Sequence, residues 1–586
     1  MTDRPEPLRP RPVAWLVSAV ERERGRTVLL GFAALIGIAY VATIFPGAFI
    51  LGQGSYWHNP SGLLLMDVAE SSDVLAGLVH YLGFLRTGWH LPIFFVPNLG
   101  APAGASVIYA DALPLVALLG KLASELAGHA VNPYGIWVAA CFVLSAVFAS
   151  LFVMQLGQRS LLAVAAASLL AVSAPPLLYR FGHLGLMAHF FVIGALLFYL
   201  RDRRIGSAWM LTARWAAWLC ITTLLHAYLF AMVAAIYAAS LLYRFDRNRG
   251  HGRALLREAL IITCALALVM ALAGHFGKGT GGGYPSASGF GHYSMNLASP
   301  FWPQHSGLFP GLQAIVDATG GQYEGFNYFG FGAILLIGIA VSLNIRQLRG
   351  HFLANWPLCA ALFCLTAFAV SHRVFLGSIK LLDLDISWHV DVLLGVFRSS
   401  GRMFWPVLYT GMLTALVLAL RRLAPGWKTA VVVACCVLQL VDTEPLRAGL
   451  ATITRRDVPR LLDQSEWQAR MVPAAMVWVD PPFLCAPREM QAVNIELQLA
   501  AMAADRPINS VYNPRLSVDC AAEAARARNG PWRNDTLYVF LTGEPKGVPT
   551  GWMPAGLTCQ PFKEGVWCFG LKARPDRIRN SPARAR

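Results

Sequence analysis

Asp73 stands in the stretch ESSDVLAGLVHYLGFLRTGWHLP, Glu70 to Pro92, just beyond a long apolar run. A carboxylate in that place can take a proton from an acceptor hydroxyl or amine beside a bilayer. The reaction this implies is attack on a lipid-linked donor whose reactive bond lies at headgroup depth, with a phosphate or pyrophosphate leaving. Such a leaving group needs cations, and two corners of the chain supply them. LLYRFGHLGLMAHF brings Arg180 and His183, and FRSSGRMFWP brings Arg398 and Arg402. Arginine suits the task because its planar fork meets phosphate oxygens two at a time. Asp111, in YADALP, is a further candidate as a substrate or metal ligand.

Each of these residues also has a plainer reading. Asp73 follows two serines and suits a helix N-cap, with Asp67 as its nearest rival for the role of base. Asp111 precedes a Pro-led helix and suits a cap as well. Arg180 and Arg402 could snorkel at the interface, but they fall on the outer side, where positive charge is not favoured. His183 and His189 have the plainer reading of core histidines, His226 that of a turn histidine, and Glu324 that of a charge at a helix N-terminus. The run GKGTGGGYPSASGFG lacks P-loop spacing and reads as an outer loop over the cavity. KLLDLDISWHVD, with Asp383, Asp385 and Asp391, reads as a second interfacial helix without cation-ligand spacing. No cofactor is indicated by spacing, a divalent cation included, and the metal requirement is left open.

The elements that must hold these residues are membrane spans. Of 586 residues 56% are hydrophobic and 14% charged, too little polar surface for a soluble protein of this size, and apolar runs of about 20 residues recur along the chain. The formal charge of +16 does not point to nucleic acid. Its arginines gather between apolar runs, at Arg201–Arg204, Arg244–Arg249, Arg346–Arg349 and Arg421–Arg422, as the positive-inside rule requires. The first run, Val28–Leu51, is too long for a signal peptide and lacks a cleavage site, so it reads as an uncleaved anchor behind a basic tail, residues 1–27.

The expected spans are Val28–Ile50, Tyr134–Leu156, Leu161–Leu178, Gly185–Leu200, Trp209–Leu224, His226–Tyr243, Leu255–His275, Phe329–Ile345, Phe352–His372, Met403–Leu420 and Lys428–Val441. That is about eleven helices. Asp111–Leu126, with Pro114 and Lys121, is expected as a partial helix at the interface, which keeps every strongly basic loop on one side. The membrane domain then covers 28–443, with outer loops at 52–110, 276–327 and 373–402. The N-terminus lies in the cytoplasm, and residues 444–586 form a small α/β domain outside, in the periplasm of a bacterial inner membrane. Helical period in RRDVPRLLDQSEWQARM and REMQAVNIELQLAAMAADR, with strands in AMVWVD, TLYVFLT and GVWCFGLK, supports that class. Seven of the 11 cysteines fall in apolar runs, and Cys485, Cys520, Cys559 and Cys568 lie in the tail. An even set in an exported domain reads as a disulfide framework. Of the three pairings, Cys559–Cys568 across a hairpin with Cys485–Cys520 is favoured.

With these features in place, the chain resembles the GT-C superfamily of polytopic glycosyltransferases, which use polyprenyl-phosphate-linked sugars. Their first outer loop carries an acid, an interfacial helix and a Trp-x-x-Pro corner, matched here by Asp73, Trp89 and Pro92. A short Pro-containing helix follows, matched by DALPLVALLGK. More closely, the sequence resembles a bacterial family of GT-C-like membrane proteins of unknown function, through PAGASVIYADALPLVALLGK, RFGHLGLMAHF, GFGHYSMNLASPFWP, GQYEGFNYFGFG and FRSSGRMFWP. The resemblance implies inverting-type sugar transfer to an outer-face glycan, lipid or protein, with Asp73 as base, membrane lipids as surroundings and no nucleic-acid partner. A transporter or flippase of lipid-linked glycan is the alternative, and a non-catalytic scaffold a third. A transporter is expected to show internal repeats and midplane ionisable pairs, and neither stands out in the sequence.

Overall fold

A computed structural model describes residues 12–58, 71–110, 112–202, 208–276, 289–314, 316–457, 460–512, 518–542 and 556–570. Eight helices among these are long and apolar enough to cross a membrane: Gly25–Ile44, Tyr134–Gln155, Leu161–Gly182, Ala227–Arg247, Arg249–Ala273, Phe331–Ala354, Ser400–Arg422 and Pro425–Asp442. The clearest is Tyr134–Gln155, whose 22 residues include no charge and reach about 33 Å, the thickness of a bilayer core. Three further expected spans are shorter helices. Phe190–Asp202 has 13 residues, Ala208–Thr223 has 16 and Trp356–Val370 has 15, lengths of about 20–24 Å. The expected Gly185 start moves to Phe190 because Gly182–His189 is spent on turns that place His183.

Local signals set the helix starts. Ser160 caps Leu161–Val172 by accepting from Ala163 N at 3.2 Å, and His226 caps Ala227–Arg247 through its ring. Proline stands in the first turn of Trp356–Val370, Trp405–Arg422 and Pro425–Asp442, where its missing N–H costs nothing.

Cross-links show which helix ends meet. At one end Arg421 donates to Leu156 O, Arg422 Nε to Asn344 Oδ1 at 3.3 Å, and Trp356 Nε1 to Asp246 Oδ2 at 3.3 Å. At the other, Ile93 N donates to Leu272 O at 3.0 Å, Leu115 N to Leu224 O at 3.0 Å and Met295 N to Ala369 O at 2.8 Å. Asp442 there takes Phe331 N at 2.6 Å and the Ser306 hydroxyl, closing the start of the 331–354 helix. The long connecting segments lie at this second end, and the arginine pairs at the first.

Residues 464–570 build a four-stranded sheet, ordered Met476–Asp480, Thr536–Leu541, Gly565–Gly570, Leu557–Phe562. The first pair is parallel and the others antiparallel. Cys559 stands opposite Cys568 in register and is bonded to it, and Cys485 is bonded to Cys520. This domain is fused to the first long connection. Ile508 bridges to Val477 on one side and to Leu99 on the other. Ala101 N donates to Ile508 O at 2.8 Å and Ile508 N to Asn98 O at 2.9 Å.

That fusion corrects the surface-hugging helix expected after Glu70. Ser71–Arg86 is buried along Val74–Tyr81, because the Arg488–Ala503 helix lies across it. Gly83 permits the approach: a Cβ there would stand 2.9 Å from Met502 Sδ. The partial helix is Pro114–Ala127, and Lys121 in its middle is buried rather than at an interface. The ammonium donates to Phe84 O at 2.9 Å and to Thr87 O, closing the C-terminus of the 71–86 helix where positive charge is favoured. KLLDLDISWHVD is not one helix either. Ile379–Asp383 pairs with Arg373–Leu376 as a hairpin, and only Trp388–Leu394 is helical.

Candidate functional site: a buried charge cluster

Four segments far apart in sequence bring ionisable side chains together at the second end of the bundle. Asp73 is the third residue of the Ser71–Arg86 helix. Arg180 and His183 sit on the 3-10 turn Arg180–Gly182 and just after it, where the Pro175–Tyr179 helix stops. Glu324 lies on the turn Gln322–Gly325, and Arg402 on the turn Ser400–Phe404 that leads into the Trp405–Arg422 helix. The last two turns touch through glycine: a Cβ on Gly401 would lie 2.5 Å from Gly325 Cα. Asn327 fastens them by donating to Gly325 O at 3.0 Å and Gly401 O at 2.8 Å.

Glu324 is the hub. Arg402 Nη2 approaches Glu324 Oε1 at 2.7 Å and its Nε reaches Oε2 at 3.1 Å. Arg180 pairs with Oε2 and also donates to the Glu324 carbonyl at 2.9 Å. The guanidinium groups also lie over rings, Arg402 over Tyr228 at 5.1 Å and Arg180 over Tyr179 at 5.0 Å. His183 joins the two acids, with Nδ1 at 3.0 Å from Asp73 Oδ2 and Nε2 at 3.7 Å from Glu324 Oε1. The other Asp73 oxygen accepts from the Tyr512 hydroxyl at 2.8 Å. That tyrosine comes from the C-terminal domain, four residues past Ile508.

Burial alone would push both carboxyls up. At Asp73 it is outweighed by the charge and hydrogen bond of His183, by Tyr512 and by the charge of Arg402, so the carboxyl lies below its ordinary value. At Glu324 burial is outweighed by Arg402, Arg180 and His183, and the carboxyl is held well below the ordinary range. Two carboxylates face two guanidiniums, so the state of His183 decides whether the group is neutral or singly positive. Accessibility separates the members. The side chain of Asp73 is 21% exposed, those of Glu324 and His183 10% each, that of Arg402 6% and that of Arg180 0%. Asp73 is the most exposed member of the cluster.

The candidates drawn from sequence therefore divide. Asp73, His183, Arg180 and Arg402 converge. The arginines meet a carboxylate inside the protein, a role that phosphate alone had been expected to fill; the reason is Glu324, read from sequence as a helix-terminal charge. The motif GQYEGFNYFGFG was the signal that carried it. Tyr512 had no sequence signal, since it reaches the site only through the fusion at Ile508. Asp73 is not an N-cap, for its oxygens are spent on His183 and Tyr512. Arg398 is exposed and lies over the Tyr293 ring at 5.7 Å, outside the cluster's contacts. Asp111 and Asp67 lie outside the described residues. His189 is a core histidine, 2.7 Å from the Tyr409 hydroxyl. Among the described residues no three His, Cys, Asp or Glu side chains form a metal-ligand group. Glu324, with a guanidinium on each oxygen, has little charge left for a cation.

The helices and this site define a polytopic helical membrane protein whose C-terminal α/β domain closes over a buried ionic cluster. Residues 34–444 match a family model described as a domain of unknown function (DUF6311), and 469–570 match the DUF6311 C-terminal domain. The chain belongs to that family. No curated protein matches the sequence.

Proposed function

We propose that the protein is a glycosyltransferase of GT-C-like architecture, moving a sugar from a polyprenyl-phosphate-linked donor to an acceptor at the membrane face. The observation that carries the reading is the partly exposed, ionised Asp73 in contact with His183, which in turn reaches Glu324 and its arginines, all at one end of the bundle. In the proposed step the acceptor oxygen or nitrogen forms a bond to the sugar C1 as the C1–O bond to phosphate breaks. The polyprenyl phosphate leaves with that electron pair, and the acceptor proton passes to Asp73. A carboxylate held below its ordinary value is a weak base, but it is fully ionised at neutral pH. It can take the proton late, once bonding to C1 has made the acceptor acidic. With His183 protonated the cluster carries one net positive charge, which would favour charge growing on the phosphate.

The same reading places about eleven helices across a bacterial inner membrane, with the three short ones met by local thinning of the bilayer. The arginine-rich end faces the cytoplasm and the Asp73 end the periplasm. The test is the set of lipid-linked glycans that accumulate in cells lacking the protein. A polyprenyl-phosphate monosaccharide is expected to build up. Accumulation of a whole lipid-linked oligosaccharide would replace this reading with transport or ligation, and an unchanged lipid pool would leave a scaffold.

A further inference from the structure

Between the Trp356–Val370 helix and Ser399 the chain carries large apolar side chains that the rest of the molecule leaves open. Ile379 is 62% exposed, Trp388 68% and Leu393 70%, and Leu381, Leu382 and Leu384 are exposed with them. Every residue of the strand Ile379–Asp383 is exposed. So many large apolar side chains left open in one short segment mark a contact with something apolar. The segment is also held in shape. Strand Arg373–Leu376 pairs with Ile379–Asp383, and Leu297 N donates to Phe375 O at 2.9 Å. Asn296 grips the turn at both polar atoms of Gly377, accepting from its N at 2.9 Å and donating to its O at 2.8 Å. Gly377 takes φ +61, which suits glycine at such a turn.

Continuity identifies the occupant. The hairpin follows the apolar 356–370 helix after a two-residue link and its first strand touches that helix, whose Phe363 is 73% exposed, so the open hairpin adjoins an element of membrane-seeking composition. Polar groups are interleaved with the apolar ones, including the Lys380–Asp383 pair at 2.8 Å and His389 against the Trp388 ring at 4.0 Å. An apolar surface with charged edges and an indole is the composition that settles at the headgroup boundary. We propose that residues 373–394 lie in the bilayer interface, with membrane lipid as their partner, at the end of the bundle that holds Asp73. Asn296, which grips the hairpin, also donates to Gln322 Oε1 at 3.0 Å, two residues before Glu324. A lipid-seated hairpin would thereby fix the depth of the charge cluster at headgroup level. This inference rests on the membrane reading and stands whether or not the site transfers sugar.

The experiment places a benzophenone amino acid at Ile379, Trp388 or Leu393 of the full chain, one at a time, in vesicles of phosphatidylethanolamine and phosphatidylglycerol. A fourth protein carries it at Val472, an exposed apolar residue of the C-terminal domain. After illumination, mass spectrometry is expected to find phospholipid adducts at the first three positions and none at Val472. Cross-links to a second copy of the chain, no adduct at any of the three, or equal lipid labelling at Val472 would each overturn the proposal.

Discussion

At the scale of the residue, Asp73 is held by two different donors, an imidazole from the membrane part and a phenol from the C-terminal domain. If it is the base, Asp73→Asn keeps the size and most of the hydrogen bonding but removes the proton acceptor. Transfer is then expected to fall by about 10²–10⁴-fold with the protein still folded. The assay is turnover of the lipid-linked sugar identified by the accumulation experiment. Full turnover in the Asn variant would move the base away from Asp73. Sequence alone named four of the converging side chains, Asp73 as an acid just past an apolar run and Arg180, His183 and Arg402 as cationic groups at two outer corners. It could not separate Glu324 from an ordinary helix-terminal acid, since only the fold brings Arg180 and Arg402 to the same carboxylate across 144 and 78 residues.

At the scale of the element, the decisive piece is the Ser71–Arg86 helix, roofed by Arg488–Ala503 and closed at its C-terminus by Lys121. A charged donor on two carbonyls is worth roughly 1.5–3 kcal/mol per bond in a buried setting. Lys121→Met keeps the length and apolar stem and leaves those carbonyls without the ammonium. We expect a loss of about 2–4 kcal/mol, read as a lower thermal midpoint in detergent. An unchanged midpoint would show that the contact contributes nothing. The helix itself was legible in its pattern, but its depth was not. Amphipathic period shows that one side seeks apolar cover, and it does not say whether lipid or another domain supplies it. The 379–394 stretch failed differently. Its alternation of Leu, Asp and Ile suits a strand as well as an interfacial helix, and the pairing with Arg373–Leu376 decides between them.

At the scale of the whole molecule, the ionic cluster ties four segments of the membrane part to the C-terminal domain, so its titration belongs to the stability of the fold. Both Asp73 and Glu324 are held below their ordinary values. Their stabilising contribution is therefore complete above the ordinary carboxylate range. It is lost as pH falls below about 4 and through the depressed values. The thermal midpoint in detergent is expected to hold from neutral pH down to about 5 and to fall below that. Glu324→Gln leaves two buried guanidiniums without their countercharge, a change that costs about 3–5 kcal/mol at neutral pH. Its midpoint is expected to start lower and to decline less in acid. Equal slopes for the two proteins would dissociate Glu324 from the acid transition.

That the chain is rich in membrane-length apolar helices and ends in a small sheet domain was readable because apolar length and strand alternation are local properties. What joins them was not, because it depends on one short segment. Ile508 meets Leu99, and Tyr512 meets Asp73 across 439 residues of chain. This has a consequence for synthesis. A ribosome that has delivered every membrane helix has still not delivered the residues that complete the first connection. The segment Asn98–Ala101 and the apolar back of the 71–86 helix must wait, uncovered, until residues 488–508 have been made. A chain cut short between the Pro425–Asp442 helix and residue 512 would hold the membrane helices described above and most of the charges and still lack the Tyr512 hydroxyl beside Asp73.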